Sequence, residues 1–257
     1  MTLFYLFEPR PGVSKSLYCW RVLRRLLPAP LRTWRQGLPG SERLGLLTIM
    51  VKAFFAPMMV VFLIDHTARL LINGAGLYEA VGAGDGLALA TFNAHGFWFA
   101  LQVILLVDVG FFTVGYLVEL PALKNEIRSV DPTLLGWLVA LMCYPPLNDV
   151  TSSMLSWSTE DFPQFDNPGV HITMNLVILV LMGVYAAASV ALNFKASNLT
   201  HRGIVSWGPY RYIRHPAYVC KNLAWWIGGI PAFSTALARK SHQANDRNWK
   251  MGFEIWC

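Results

Sequence analysis

From Val170 to Phe194 the chain runs without a single Asp, Glu, Lys or Arg. About 20 mainly apolar residues in a helix cross a hydrocarbon core about 30 Å thick, where every backbone polar group must be bonded within the segment. Such a stretch reads as a membrane-spanning helix, and others accompany it. Leu44–Ile64 meets the same requirement, with Lys52 its only charge and Pro57 expected to kink it. Phe97–Leu120 does so with Asp108 inside and Glu119 at its far end. Thr133–Tyr144 is shorter and stops at Pro145-Pro146, which makes it a weaker span. Ala217–Leu237 carries Lys221 and is expected to break at Gly228-Gly229 and Pro231. Composition agrees: 54% of residues are hydrophobic and 14% charged, against about 25% charged in soluble domains. A long disordered chain needs the opposite balance. The expected class is all-α, a multi-pass helical membrane protein with about five membrane-embedded helices.

The net charge of +6 would suit nucleic acid in a soluble protein, but its distribution points to a membrane flank. Arg10, Lys15, Arg21, Arg24, Arg25, Arg32, Arg35 and Arg43 all precede the first apolar run. The next connection, 65–95, holds only Arg69, and then Lys124 and Arg128 follow. Residues 148–169 contain Asp149, Glu160, Asp161 and Asp166 with no Lys or Arg, before Lys195, Arg202, Arg211 and Arg214. Basic residues thus alternate high, low, high, low, high, as the positive-inside rule requires of a cytoplasmic N-terminus. No nucleic-acid partner is expected; the bilayer is.

Cys19, Cys143, Cys220 and Cys257 form no CxxC pair and have no zinc-type His spacing, so neither a disulfide framework nor a metal is expected. Asp108 inside a span is costly. It is either a functional group or a polar contact within the bundle, to another helix's hydroxyl or to Lys52. Asp65, His66 and Arg69 read as interfacial anchors closing the first span, with a local pair between Asp65 and Arg69.

The segment most able to carry chemistry is Asn198–Tyr218, which gathers His201, Arg202, Tyr210, Arg211, Tyr212, Arg214, His215 and Tyr218. Gly208-Pro209 signals a turn. Pro216 suits the first position of a helix, leaving His215 just outside the helix's positive end. Free N–H groups and the dipole there attract carboxylates and phosphates. A juxtamembrane basic belt with interfacial aromatics would have the same composition, though not the order Arg-His-Pro-x-Tyr.

That order, in Gly208-Pro-Tyr-Arg-Tyr-Ile-Arg-His-Pro-Ala-Tyr218, resembles the cofactor motif of the isoprenylcysteine carboxyl methyltransferase family, to which phospholipid methyltransferases are related. The continuation Val219-Cys-Lys-Asn-Leu-Ala-Trp-Trp226 is similar to its bacterial members. The resemblance, close over 195–231, implies a helical membrane bundle with a cytoplasmic segment that binds S-adenosylmethionine. By position it assigns that cofactor Lys195, the run Arg202-Gly203-Ile204-Val205, Tyr210, and Arg214-His215-Pro216-Ala217-Tyr218. It also implies O-methylation of a carboxylate on an isoprenylcysteine-like or other lipid-linked substrate. Family members often carry His at the position of Arg202, and the eukaryotic enzymes a neutral polar residue at that of Lys195. The residue types suit methyl transfer. A carboxylate, with a pKa near about 3.5, is ionised at neutral pH and needs no general base. Arg and His hold the cofactor's carboxylate, and Tyr210 or Tyr218 faces its sulfonium.

After Pro231 the family's helix with a Glu-Glu pair is missing, and an ending truncated or frameshifted from a longer parent is expected. The organisation expected is a basic segment over 1–43, a transmembrane bundle over 44–194, the cofactor motif and last membrane helix over 195–237, and a polar tail over 238–257. Other readings are a phospholipid N-methyltransferase, which needs a base for its ammonium acceptor, and a catalytically impaired membrane protein. An NADPH-dependent sterol reductase is more distant. The expected location is an integral membrane one, the inner membrane if the source is bacterial. A topology reporter fused after Asp161 is predicted to read out the non-cytoplasmic side; a cytoplasmic signal there would overturn the orientation.

Overall fold

The computed structural model of the chain describes residues 15–27, 38–84, 88–148 and 161–245. Much of the basic N-terminal segment, most of the acidic 148–169 connection and the ending after Asn245 lie outside these. Among the described residues the structure is mostly helical, 75% helix and 2% strand. The described helices are α1 (Lys15–Leu26), α2 (Gly40–Gly82), α3 (Leu89–Leu117), α4 (Leu134–Met142), α5 (Pro168–Leu192) and α6 (Pro216–Asn245). Two short strands, β1 (Ser129–Val130) and β2 (Thr200–His201), pair antiparallel with Ser129 opposite His201.

Among the described residues, three helices are long and apolar enough to cross a membrane: α2, α3, and α5 with the 3₁₀ turn after it. Several boundaries differ from expectation. α2 does not close at Asp65–Arg69 but continues to Gly82 through Pro57, and its 43 residues span about 64 Å, twice the hydrocarbon thickness. Residues 65–82 contain no proline, so nothing stops the helix at the membrane edge. α4 has only nine residues, opened by Thr133, whose Oγ1 accepts from Gly136 N at 3.1 Å. α6 is unbroken by Gly228-Gly229 and passes Pro231. The helix that opens at Pro216 thus runs on past Leu237, and the first residues of the expected polar tail, to Asn245, are helical.

Two compact units divide the chain. The first comprises residues 1–68, 106–151 and 192–206. Its core is Val51, Phe55 and Met59 of α2 with Tyr116, Ile127 and Val130. Phe55 stacks on Tyr116 with ring centroids 5.4 Å apart and meets Tyr144 edge-on at the same distance. Thr113 Oγ1 donates to Val109 O (2.7 Å) and to Met59 O (3.1 Å), a polar tie between two apolar helices.

The second unit comprises residues 69–105, 152–191 and 207–257. Phe97 and Leu101 of α3, Ile178 of α5 and Ala224 of α6 form its core, with Phe162 packed against Phe97 at 4.5 Å between centroids. A buried polar cluster stands beside it. The His171 Nε2 lies 3.0 Å from Asn93 Oδ1, and Asn175 Nδ2 donates to His171 O (2.9 Å) and Pro163 O (3.1 Å). Asn93 sits in a π-helical turn, Phe92–Gly96, within α3.

Phe55 is fully buried among aromatic neighbours. Phe55→Ala is predicted to destabilise the first unit by about 3–5 kcal/mol, read as a lowered midpoint in thermal unfolding of the detergent-solubilised protein. An unchanged midpoint would show that this cluster does not carry the unit.

Candidate functional site

Where α3 ends, the first unit must satisfy orphan carbonyls at the edge of an apolar helix. Asn125, fully buried, does part of this: its Nδ2 donates to Val118 O (2.7 Å) and its Oδ1 accepts from Leu120 N (2.8 Å). Arg202 does more. It is 2% exposed, and its Nη1 donates to Gly115 O (2.7 Å), Asn125 O (3.0 Å) and, more weakly, Phe194 O (3.4 Å). Its Nη2 is buried with no hydrogen-bond partner among the described residues. Burial pulls the Arg202 guanidinium below its ordinary range, opposed by the charge of Glu119 and by Tyr116.

Glu119 is the anion of this cluster. Its carboxylate accepts from Lys15 Nζ, from Lys52 Nζ at 3.0 Å and from the Ile127 N–H at 2.8 Å. Lys52, the lone charge of the first apolar run, thus forms its ion pair with Glu119, while Asp108 is buried. The connection after α5 is held by phenols: Asn198 N–H donates to Tyr116 Oη (2.5 Å) and Asn198 Nδ2 to Tyr144 Oη (2.9 Å). Lys195 closes the 3₁₀ turn Asn193–Lys195 and is half-buried. Gly203 comes next after Arg202 at φ +107°, a conformation that disfavours any side chain. Ile204 is 88% exposed, and Val205 is half-buried.

The second unit holds the rest of the motif. Trp207 leads into the 3₁₀ turn Gly208–Arg211, with Gly208 at φ +61° and Tyr210 half-buried. The turn closes through Tyr212 N–H to Pro209 O at 3.2 Å. α6 then opens at Pro216, and His215 O accepts the Val219 N–H at 3.1 Å, so His215 stands just outside the helix, as its order predicts. Arg214, His215 and Tyr218 are exposed, with the His215 and Tyr218 rings edge-on at 6.1 Å; Pro216 is buried and Ala217 half-buried. Further along α6, Lys221 Nζ lies 4.9 Å from the Trp225 ring centroid. Beyond it lies an apolar groove of about 500 Å³, lined by Leu181 of α5 and by Leu223, Trp226, Ile227, Ile230 and Phe233 of α6.

The expected cofactor residues therefore fall in two groups. Lys195, Arg202, Gly203, Ile204 and Val205 belong to the first unit; Tyr210 and Arg214–Tyr218 belong to the second. Sequence reasoning did not find the Lys15–Glu119–Lys52 cluster, though a Lys and a Glu on two neighbouring apolar segments were its signal.

A family model described as a protein of unknown function (DUF1295) matches residues 137–245. It takes in part of α4, all of α5, the motif and all of α6. The match continues to Asn245, beyond the point after Pro231 where the resemblance to the methyltransferases lapses. No curated protein and no solved structure matches the chain.

Glu119's carboxyl is held below the usual carboxylate range. Burial alone would raise it, but the Lys15 hydrogen bond, the Lys52 charge and the Ile127 N–H outweigh that. Its stabilising contribution is fully present above the unfolded value, about 4.3, and is lost as pH falls through the lower folded value. Acid titration of thermal stability is predicted to show a steeper loss below about pH 4.3 in wild-type than in Glu119→Gln. Parallel curves would remove Glu119 from the set of stabilising groups.

Proposed function

We propose that this chain is an integral membrane, S-adenosylmethionine-dependent methyltransferase that O-methylates a carboxylate on an isoprenylcysteine-like or other lipid-linked substrate. The observation that carries the reading is the opening of α6. Exposed Arg214, His215 and Tyr218 surround a helix N-terminus, and an apolar groove begins at Leu223 on the same helix, about 7.5 Å beyond Tyr218 along its axis. Polar recognition and apolar accommodation thus share one rigid element.

The residues present fit the cofactor's chemistry. First-turn N–H groups without intrahelical partners, with the Arg214 guanidinium and His215 imidazole, suit its carboxylate. The exposed Tyr218 ring offers a π face to a sulfonium. When bound, S-adenosylmethionine supplies an electrophilic methyl group. The chain's task is then orientation: Arg214 and His215 fix the polar end, and the groove holds the lipid tail. The acceptor carboxylate is already ionised, so no residue need remove a proton. The resemblance also assigns the cofactor Lys195, Gly203, Ile204 and Val205, which belong to the first unit, and Tyr210, which belongs to the second. Arg202 contributes by fixing the backbone around Phe194 and Gly203.

In this reading α4 and α6 join the three spanning helices to make about five membrane-embedded ones. The apolar exposure of Leu134 (75%) and Leu135 (72%) on α4 supports that count. The N-terminus and the motif face the cytoplasm, across the inner membrane in a bacterium.

The test is labelled-methyl transfer from S-adenosylmethionine to a farnesylcysteine analogue in membranes containing the full chain. A base-labile methyl ester is the expected product, and His215→Ala is predicted to weaken cofactor binding by more than about 1 kcal/mol. Label on phosphatidylethanolamine instead would move the acceptor to a phospholipid amine. Equal cofactor affinity in wild-type and His215→Ala would overturn the assignment of the motif.

A further inference from the structure

α1 contains no acidic residue, and its side chains separate into three sectors. Cys19 and Val22 turn into the first unit, at 7% and 0% exposure. Trp20 and Leu23, with Leu27 in the turn just past the helix, point outward at 54%, 44% and 81% exposure. Arg21 and Arg24 are exposed along the edge of that apolar face, with guanidiniums over the Tyr18 and Trp20 rings at 5.8 Å and 5.9 Å.

The helix is fixed to its unit at both ends. Lys15 Nζ bonds the Glu119 carboxylate and Ile127 O (2.9 Å), and Arg25 Nη1 bonds Glu42 Oε2 (2.9 Å). Between them α2 approaches so closely that a Cβ on Gly45 would lie 2.9 Å from Tyr18 Cβ. These attachments mark one level. Glu42 and Gly45 stand where α2 enters its apolar stretch, and Glu119 stands just past Leu117, where α3 ends. Both are boundaries between apolar helix and polar surroundings.

A helix at that level, with outward Trp and Leu beside Arg, fits an interface in which the apolar face sinks to the headgroup–acyl boundary and the cations meet lipid phosphates. We propose that α1 docks Trp20, Leu23 and Leu27 into an anionic leaflet, with Arg21 and Arg24 on its phosphates. A second copy of the chain is a poorer occupant, because its own α1 would bring arginine against arginine with no acidic residue to answer it.

The experiment uses the full chain in nanodiscs of phosphatidylcholine, alone or mixed with phosphatidylglycerol, with brominated acyl chains in both. The Trp20 signal is the fluorescence of wild-type minus that of Trp20→Phe. Trp20 is expected to be quenched by the brominated chains, more strongly with phosphatidylglycerol, and the difference to shrink in high salt. Removing each arginine, as Arg21→Gln and Arg24→Gln, is expected to weaken the phosphatidylglycerol dependence about fivefold. A Trp20 signal that bromine does not quench, or a phosphatidylglycerol dependence unchanged in the double variant, would overturn the proposal. So would efficient disulfide formation between copies through Trp20→Cys, which would mark the face as a contact between chains.

Discussion

Charge at the edge of lipid is the constraint on which the first unit depends. Three cations and one anion meet where α3 ends: Lys15, Lys52 and Arg202 around Glu119. Desolvated charges are tolerated only when paired and hydrogen-bonded, so the elements that bring them must arrive together. Lys15 comes from α1, Lys52 from the first membrane helix, Glu119 from just beyond the second, and Arg202 from the strand-like return after α5. α2, α3 and the return after α5 also contribute to the apolar cluster around Phe55 and Tyr116 or pack against it. Polar satisfaction and packing thus select the same arrangement.

Arg202 links that requirement to the motif. Its bonds to Gly115 O and Asn125 O fix the chain immediately before Gly203, whose positive φ then sets the direction in which the backbone leaves toward Ile204 and Val205. In the second unit the turn at Gly208 and the start of α6 at Pro216 present Arg214, His215 and Tyr218 to their surroundings. The basic residues of one motif are therefore used differently: Arg202 is buried in the fold, whereas Arg211, Arg214 and His215 remain exposed. That division departs from a uniform electrostatic belt, because Arg202 serves the fold and the other three remain at the surface.

Much of this was legible from hydropathy and local order. The charge-free run at Val170 emerged as α5, and the avoidance of helix by the residue before proline placed the α6 start at Pro216. The short run expected from Thr133 emerged as the nine-residue α4. Three matters were not legible, each because tertiary context decided them. α2 continues past Asp65 because no proline comes before Gly82 and Gly74 and Gly76 are not prohibitive, although its hydropathy falls. α6 passes Gly228-Gly229 and Pro231 because these residues are costly in a helix without being prohibitive once its face is packed. The partners of Lys52 and Arg202 depend on which helix ends lie side by side, and periodicity along a single chain does not report that.

The most direct measurement is equilibrium binding of S-adenosylmethionine and of NADPH to the full chain in nanodiscs. Saturable binding of S-adenosylmethionine, competed by S-adenosylhomocysteine and absent for NADPH, is the predicted result. Binding of NADPH with no response to S-adenosylmethionine would contradict the methyltransferase reading and make the opening of α6 a nicotinamide-cofactor site.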